Sequence, residues 1–102
     1  VSSPEHNGSM PAVLKNTIDW LSRINMKPFG EKPTVFMAAS PGPRGGASAL
    51  EHLIHIMPHR GAKVVGQYSL ASFYDKVQQH HLTPGVEQDI KQLVRTLEEQ
   101  LI

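Results

Sequence analysis

SPEHNGSMPAVLKNTIDWLSR, Ser3 to Arg23, sets a cluster of turn-forming and polar residues directly before a helical pattern. Pro4, Glu5, His6, Asn7, Gly8 and Ser9 have the composition of a loop built to hold something. Pro11 begins a helix, since proline in a first turn lacks only an N–H that would be unpaired there anyway. Ser9 or Asn7 is placed to cap it. Val13, Leu14, Thr17, Ile18 and Leu21 recur on one face at helical spacing, with Lys15, Asn16 and Asp19 opposite. Trp20 borders the apolar stripe and reads either as core or as a contact with a partner subunit. The helix is expected to end near Arg23, with turn signals following from Asn25 to Pro33.

Beyond that helix, TVFMAA (Thr34–Ala39) is a short apolar run without polar alternation. Such a run suits a strand covered on both faces, as in a parallel sheet. SPGPRGG (Ser40–Gly46) follows with three glycines and two prolines. A second helix is expected from about Gly46 to Met57, its apolar side made of Ala47, Leu50, Leu53, Ile54 and Met57, and Pro58 ends or kinks it. Ala62–Leu70 reads as a second strand, weakened by Gly66. Ser72–Leu82 reads as a polar connection, helical in part. In the last element Thr83 caps, Pro84 opens the first turn, and Val86, Ile90, Leu93, Val94, Leu97 and Leu101 form one helical face.

Strands alternating with helices argue for a parallel α/β sheet. Two strands and three amphipathic helices do not make a covered sheet several strands wide, so the front of the fold is expected to be missing. The 102 residues bound the chain to one domain at most. Its formal net charge of +1, with Lys and Arg scattered, gives no electrostatic reason to expect nucleic acid or an anionic membrane. Cysteine is absent, which excludes disulfides, a thiol nucleophile and thiolate metal sites. No apolar run approaches the roughly 20 residues of a membrane span, and the opening residues lack the charged-then-apolar pattern expected of a signal sequence. A soluble, cytoplasmic protein is expected.

Ser3–Arg23 closely resembles the signature of the NAD(P)H-dependent FMN reductase family, whose members usually read T-P-E-Y-N-x-S-x-P-x-x-L-K-N-A-I-D-W-x-S-R. KPTVFMAASPGPRGGASALEHL (Lys32–Leu53) resembles the same family's next strand, glycine-rich loop and helix. The resemblance is strongest from Ser3 to Leu53 and fades to pattern after Ala62. It implies a flavodoxin-like fold, a parallel sheet ordered 2-1-3-4-5 with helices on both faces. Val1–Ser3 would be the tail of the third strand, Thr34–Ala39 the fourth and Val64–Leu70 the fifth. The first two strands and the phosphate-binding loop have no counterpart here, so residues 1–102 resemble the C-terminal part of a single flavodoxin-like domain.

In such a sheet the ligand lies beyond the carboxyl ends of the strands, where both unusual loops leave. By resemblance, Pro4, Glu5, His6, Asn7, Gly8 and Ser9 border one side of an FMN ring and its ribityl chain. Ser40, Pro41, Gly42, Gly45 and Gly46 border the other. Glycines admit close approach of backbone to ligand. His6 stands where the family usually has tyrosine and offers a smaller planar surface. Asn7-Gly8 is also a common turn dipeptide.

Other readings concern the remaining polar residues. His52, His55 and His59 lie on one side of the second helix's wheel and suggest a zinc or nickel site. Pro58 interrupts that set, however, and a solvated or subunit-facing surface is preferred, with no metal expected. No catalytic side chain is assigned, and Glu5 is read as positional. Arg44 is read as meeting a nicotinamide phosphate, a neighbouring subunit or solvent. The resemblance implies an oxidoreductase passing a hydride from NAD(P)H to FMN, then electrons to a quinone, azo compound, flavin or metal acceptor. It also implies a homo-oligomer or a complementing chain. The alternative is a non-catalytic truncated or split half-domain acting through assembly with another chain.

Overall fold

The computed structural model describes residues 1–101. Three strands form one sheet in the order β1-β2-β3: β1 (Ser2–Pro4), β2 (Pro33–Ala39) and β3 (Lys63–Leu70). Every pairing is parallel, Ser2 opposite Met37, Pro4 opposite Ala39, and Ala39 opposite Leu70. Each crossover carries a helix, α1 (Ala12–Ile24) between β1 and β2 and α2 (Ala47–Ile56) between β2 and β3, as parallel strands require. This is the parallel α/β arrangement that the alternation of elements implied, consistent with the flavodoxin-like fold that the resemblance implied.

The two faces of the sheet are covered unequally. Thr34, Phe36 and Ala38 alternate inward on β2, and Phe36 and Ala38 pack with Met10, Ile18, Leu50, Leu53 and Met57 in one closed core. Phe36, Leu53 and Met57 are fully enclosed, and each such side chain contributes about 1.5–3 kcal/mol by leaving water. On the other face, α4 (Pro84–Gln100) crosses β3 and β2. Gly66 makes that crossing possible: a Cβ there would lie 2.6 Å from Leu93 Cδ1. The glycine that weakened β3 as a sequence pattern is the notch that receives α4. A bulge between Thr34 and Val35 sits beside it. Farther along, Met37, Ala39, Leu70, Phe73, Leu82 and Ile90 line an apolar cavity of about 310 Å³.

Several local expectations are corrected. Neither Ser9 nor Asn7 caps α1. Pro11 itself occupies the capping position without a side-chain bond, its carbonyl accepting from the N–H groups of Leu14 and Lys15. Only Leu14 and Ile18 of the α1 face turn into the core; Val13 and Leu21 stay exposed, as do Trp20 at 67% and Ile24 at 86%. Trp20 is therefore not core. Thr83 stands at the start of α4, but its side chain makes no capping bond. Val94 and Leu101 of the α4 face remain exposed. Pro58 converts α2 into a 3₁₀ turn (Met57–Arg60), which closes at Gly61. The connection after β3 holds a one-turn helix, α3 (Phe73–Lys76), and a small hairpin of β4 (Val77–Gln78) and β5 (His81–Leu82). Its turn places Gln79 and His80 at positive φ, a conformation uncommon for glutamine.

Candidate functional site

Both loops rise from neighbouring strand tips, because Pro4 and Ala39 are paired in register at the carboxyl ends of β1 and β2. The first loop is a tight reverse turn. His6 N–H donates to Ser9 O at 2.8 Å and Ser9 N–H to His6 O at 3.2 Å. Asn7 and Gly8 at its tip have φ of 52° and 79°, the positive values that Asn-Gly supplies cheaply. A Cβ on Gly8 would meet nothing within 4 Å. The turn dipeptide and the loop of the family signature are thus the same object. Pro4, His6, Asn7 and Gly8 are exposed, and Glu5 and Ser9 half-buried.

The second loop is stitched to the chain after β3. Ser40 N–H donates to Leu70 O, Phe73 N–H to Ser40 O, and Ser72 N–H to Gly42 O. Ser69 Oγ donates to Gly45 O at 2.7 Å. Gly45 and Gly46 are buried at φ of 63° and 74°. A Cβ on Gly45 would fall 2.4 Å from Ser69 Oγ, and one on Gly46 would fall 2.8 Å from Ala38 Cβ. These two glycines let the loop lie on the strand tips, while exposed Pro41 and Gly42 form its outer surface, Gly42 with open space around it. Half-buried Ser40 forms the hinge.

Glu5 ties the first loop to α2. Its carboxylate accepts the Ala49 N–H at 2.9 Å in the first turn of α2, where a negative charge faces the positive end of the helix dipole. One turn along, Ser9 Oγ lies 2.8 Å from His52 Nδ1. Arg44 donates to Ser48 Oγ. The other histidines go elsewhere: the rings of His55 and His59 meet edge to face at 6.5 Å. Among the described residues, no group of three or more His, Asp or Glu side chains is disposed to hold a metal ion. On the other face, Tyr68 donates to Asp89 Oδ2 at 3.0 Å. Burial, then that bond and the charge of Asp89, push the Tyr68 hydroxyl above its ordinary value of 10.

Sequence reasoning missed Ser69 and the partner roles of Ala49 and His52. Each acts across the chain, so no local pattern marks it. The spacing of Glu5 and Ser9, four residues apart on either side of Asn-Gly, was the available signal.

Residues 1–76 match the family described as NADPH-dependent FMN reductase. The chain belongs to that family. It is 40% identical over 67 residues to a quinone reductase of Escherichia coli, covering 66% of this chain and 36% of that protein. An NAD(P)H-dependent FMN reductase of Pseudomonas aeruginosa is 50% identical over 52 residues, 51% of this chain and 28% of that protein. A 2-hydroxy-1,4-benzoquinone reductase of a Burkholderia species is 44% identical over 54 residues, 52% and 30% of the respective chains. The chain spans about a third of the length of the curated relatives it matches. No helix among the described residues is long and apolar enough to cross a membrane.

Proposed function

We propose that residues 1–102 are the C-terminal part of a cytoplasmic flavodoxin-like domain that reduces an acceptor with NAD(P)H through bound FMN. One observation carries the reading: two exposed glycine turns, Asn7–Gly8 and Pro41–Gly42, top adjacent parallel strands that are paired in register. Open backbone of this kind fits a flat polar ring, since nothing but hydrogen stands where a side chain would keep it off. FMN, when bound, would supply hydride acceptance and the onward transfer of electrons. The chain's residues then have positional work. Asn7, Gly8, Pro41 and Gly42 would border the ring, with His6 covering part of it. Glu5, Ser40, Gly45 and Gly46 would hold these borders in place. Ser9 closes the first border from beneath, and Arg44, bonded to Ser48, stands at the outer side for a nicotinamide nucleotide. Quinones, azo compounds, flavins and metal oxyanions are the acceptor classes.

Quenching of FMN fluorescence by the purified protein, with NADPH-driven reduction of a quinone, tests this. Binding that weakens about tenfold in His6→Ala supports it; ~1.4 kcal/mol is close to the upper end of what an aromatic contact adds beyond its buried area. Colourless protein that neither quenches FMN nor reduces a dye overturns it and favours the half-domain that acts through assembly.

A homo-oligomer is part of the same reading. Val13, Trp20, Leu21 and Ile24 make an exposed apolar stripe along α1, of a kind that a second copy can cover by packing its own α1 across it. Sedimentation of Trp20→Glu tests it: loss of a dimer supports the stripe, and an unchanged state removes it.

A further inference from the structure

We propose that His52 is a positioning residue for the turn at His6–Ser9, one half of a two-point clamp whose other half is Glu5. The proposal rests on reading that turn as a border of the flavin site. Glu5 and Ser9 stand on either side of the turn, and their bonds reach Ala49 and His52. These partners are three apart and so share one face of α2, one turn from each other. Inside the turn, the two His6–Ser9 backbone bonds make a rigid unit, but its tip is unsupported, with open space beside Gly8. Pro4 is held in the ladder and Met10 is buried. Between those fixed points, Glu5 and Ser9 make the side-chain bonds that orient the tip among the described residues. A single tie would leave the turn free to rock about it; two ties one helical turn apart remove that freedom.

The frame in which the clamp acts matters. α2 begins at Gly46, where the second loop ends. Anchoring the first loop to α2 therefore sets the first border relative to the second, which neither loop achieves through its own backbone. His52 suits the task in either neutral tautomer, because Nδ1 accepts from the Ser9 hydroxyl or donates to it.

Hydrogen exchange at the His6 and Ser9 amides tests the clamp directly, on the full chain and without flavin. His52→Ala and Ser9→Ala are each expected to speed that exchange about five- to tenfold, the loss of one ordinary hydrogen bond. The double variant should exchange no faster than either single one, since both remove the same bond. His52→Asn, whose amide can also bond the serine, should restore protection. With FMN as probe, affinity should fall by a similar factor in His52→Ala and recover in His52→Asn, and the melting temperature should fall by only the few degrees that the loss of one hydrogen bond gives a chain of this size. Exchange within twofold of the parent in His52→Ala, or a double variant whose effect is the product of the singles, overturns the clamp. If the exchange pattern holds and the parent protein binds no FMN, the clamp stands and the flavin reading fails.

Discussion

Loop Pro4–Ser9 carries its glycine at an open tip, whereas loop Ser40–Gly46 carries two of its three glycines pressed against the sheet. The first is held by side chains reaching from its two feet to α2, the second by backbone and by Ser69 beneath it. The same residue type thus serves two physical ends. At Gly8 it provides a backbone angle and leaves surface free; at Gly45 and Gly46 it provides a close approach that any Cβ would block. Glycine content marks both loops as special without telling which backbone is available to a ligand.

Substitutions at these positions divide the loops sharply. Gly45→Ala should have the largest effect, about 3 kcal/mol of destabilisation, because overpacking against Ser69 and the Ala71 backbone adds to a positive φ. A thermal melt checks it, and a near-normal midpoint would break the contrast. Ser69→Ala should follow at about 1–2 kcal/mol, through loss of the hydroxyl that holds Gly45 and Arg44. Gly8→Ala meets only its backbone angle and should cost about 1 kcal/mol. Gly42→Ala, with neither clash nor positive φ, should leave stability within about 0.5 kcal/mol of the parent. Its effect should instead appear in FMN titrations as weaker binding.

A site outside both loops gives the smallest expected change. The raised pKa of Tyr68 means the folded state holds that proton more tightly than the unfolded one. Its contribution is present below about pH 10 and is lost as pH rises through the folded value. In Asp89→Asn, tyrosinate absorbance should move to lower pH, though not to the ordinary value, since burial persists. Neither loop's melting behaviour at neutral pH should follow.

How far the fold was legible depends on the range of the forces involved. Thr34–Ala39 reads correctly as a strand because its unbroken apolar run is a local pattern, and α4 reads as a helix from the spacing of its apolar residues, although Val94 and Leu101 of that face stay exposed. The outer stripe of α1 misleads, because Val13 and Leu21 have the period of a core face but lie beyond what α2 and the sheet can cover. The hairpin after α3 is invisible because Gln79 and His80 adopt left-handed backbone without the residues that usually announce it. Within the candidate site, both loops are visible as composition. Their ties are not, for Glu5 meets Ala49 and Ser9 meets His52 across more than forty residues.

From the order of its residues alone, this protein's alternation of strand and helix, its two loops and its family signature were determined, since periodicity and turn chemistry act between near neighbours. Only the tertiary structure decided which glycines are buried, which side chains bind the loops to α2, and which helix face stays bare. Those outcomes depend on groups that meet in space after the sheet has formed, and no short-range preference encodes them.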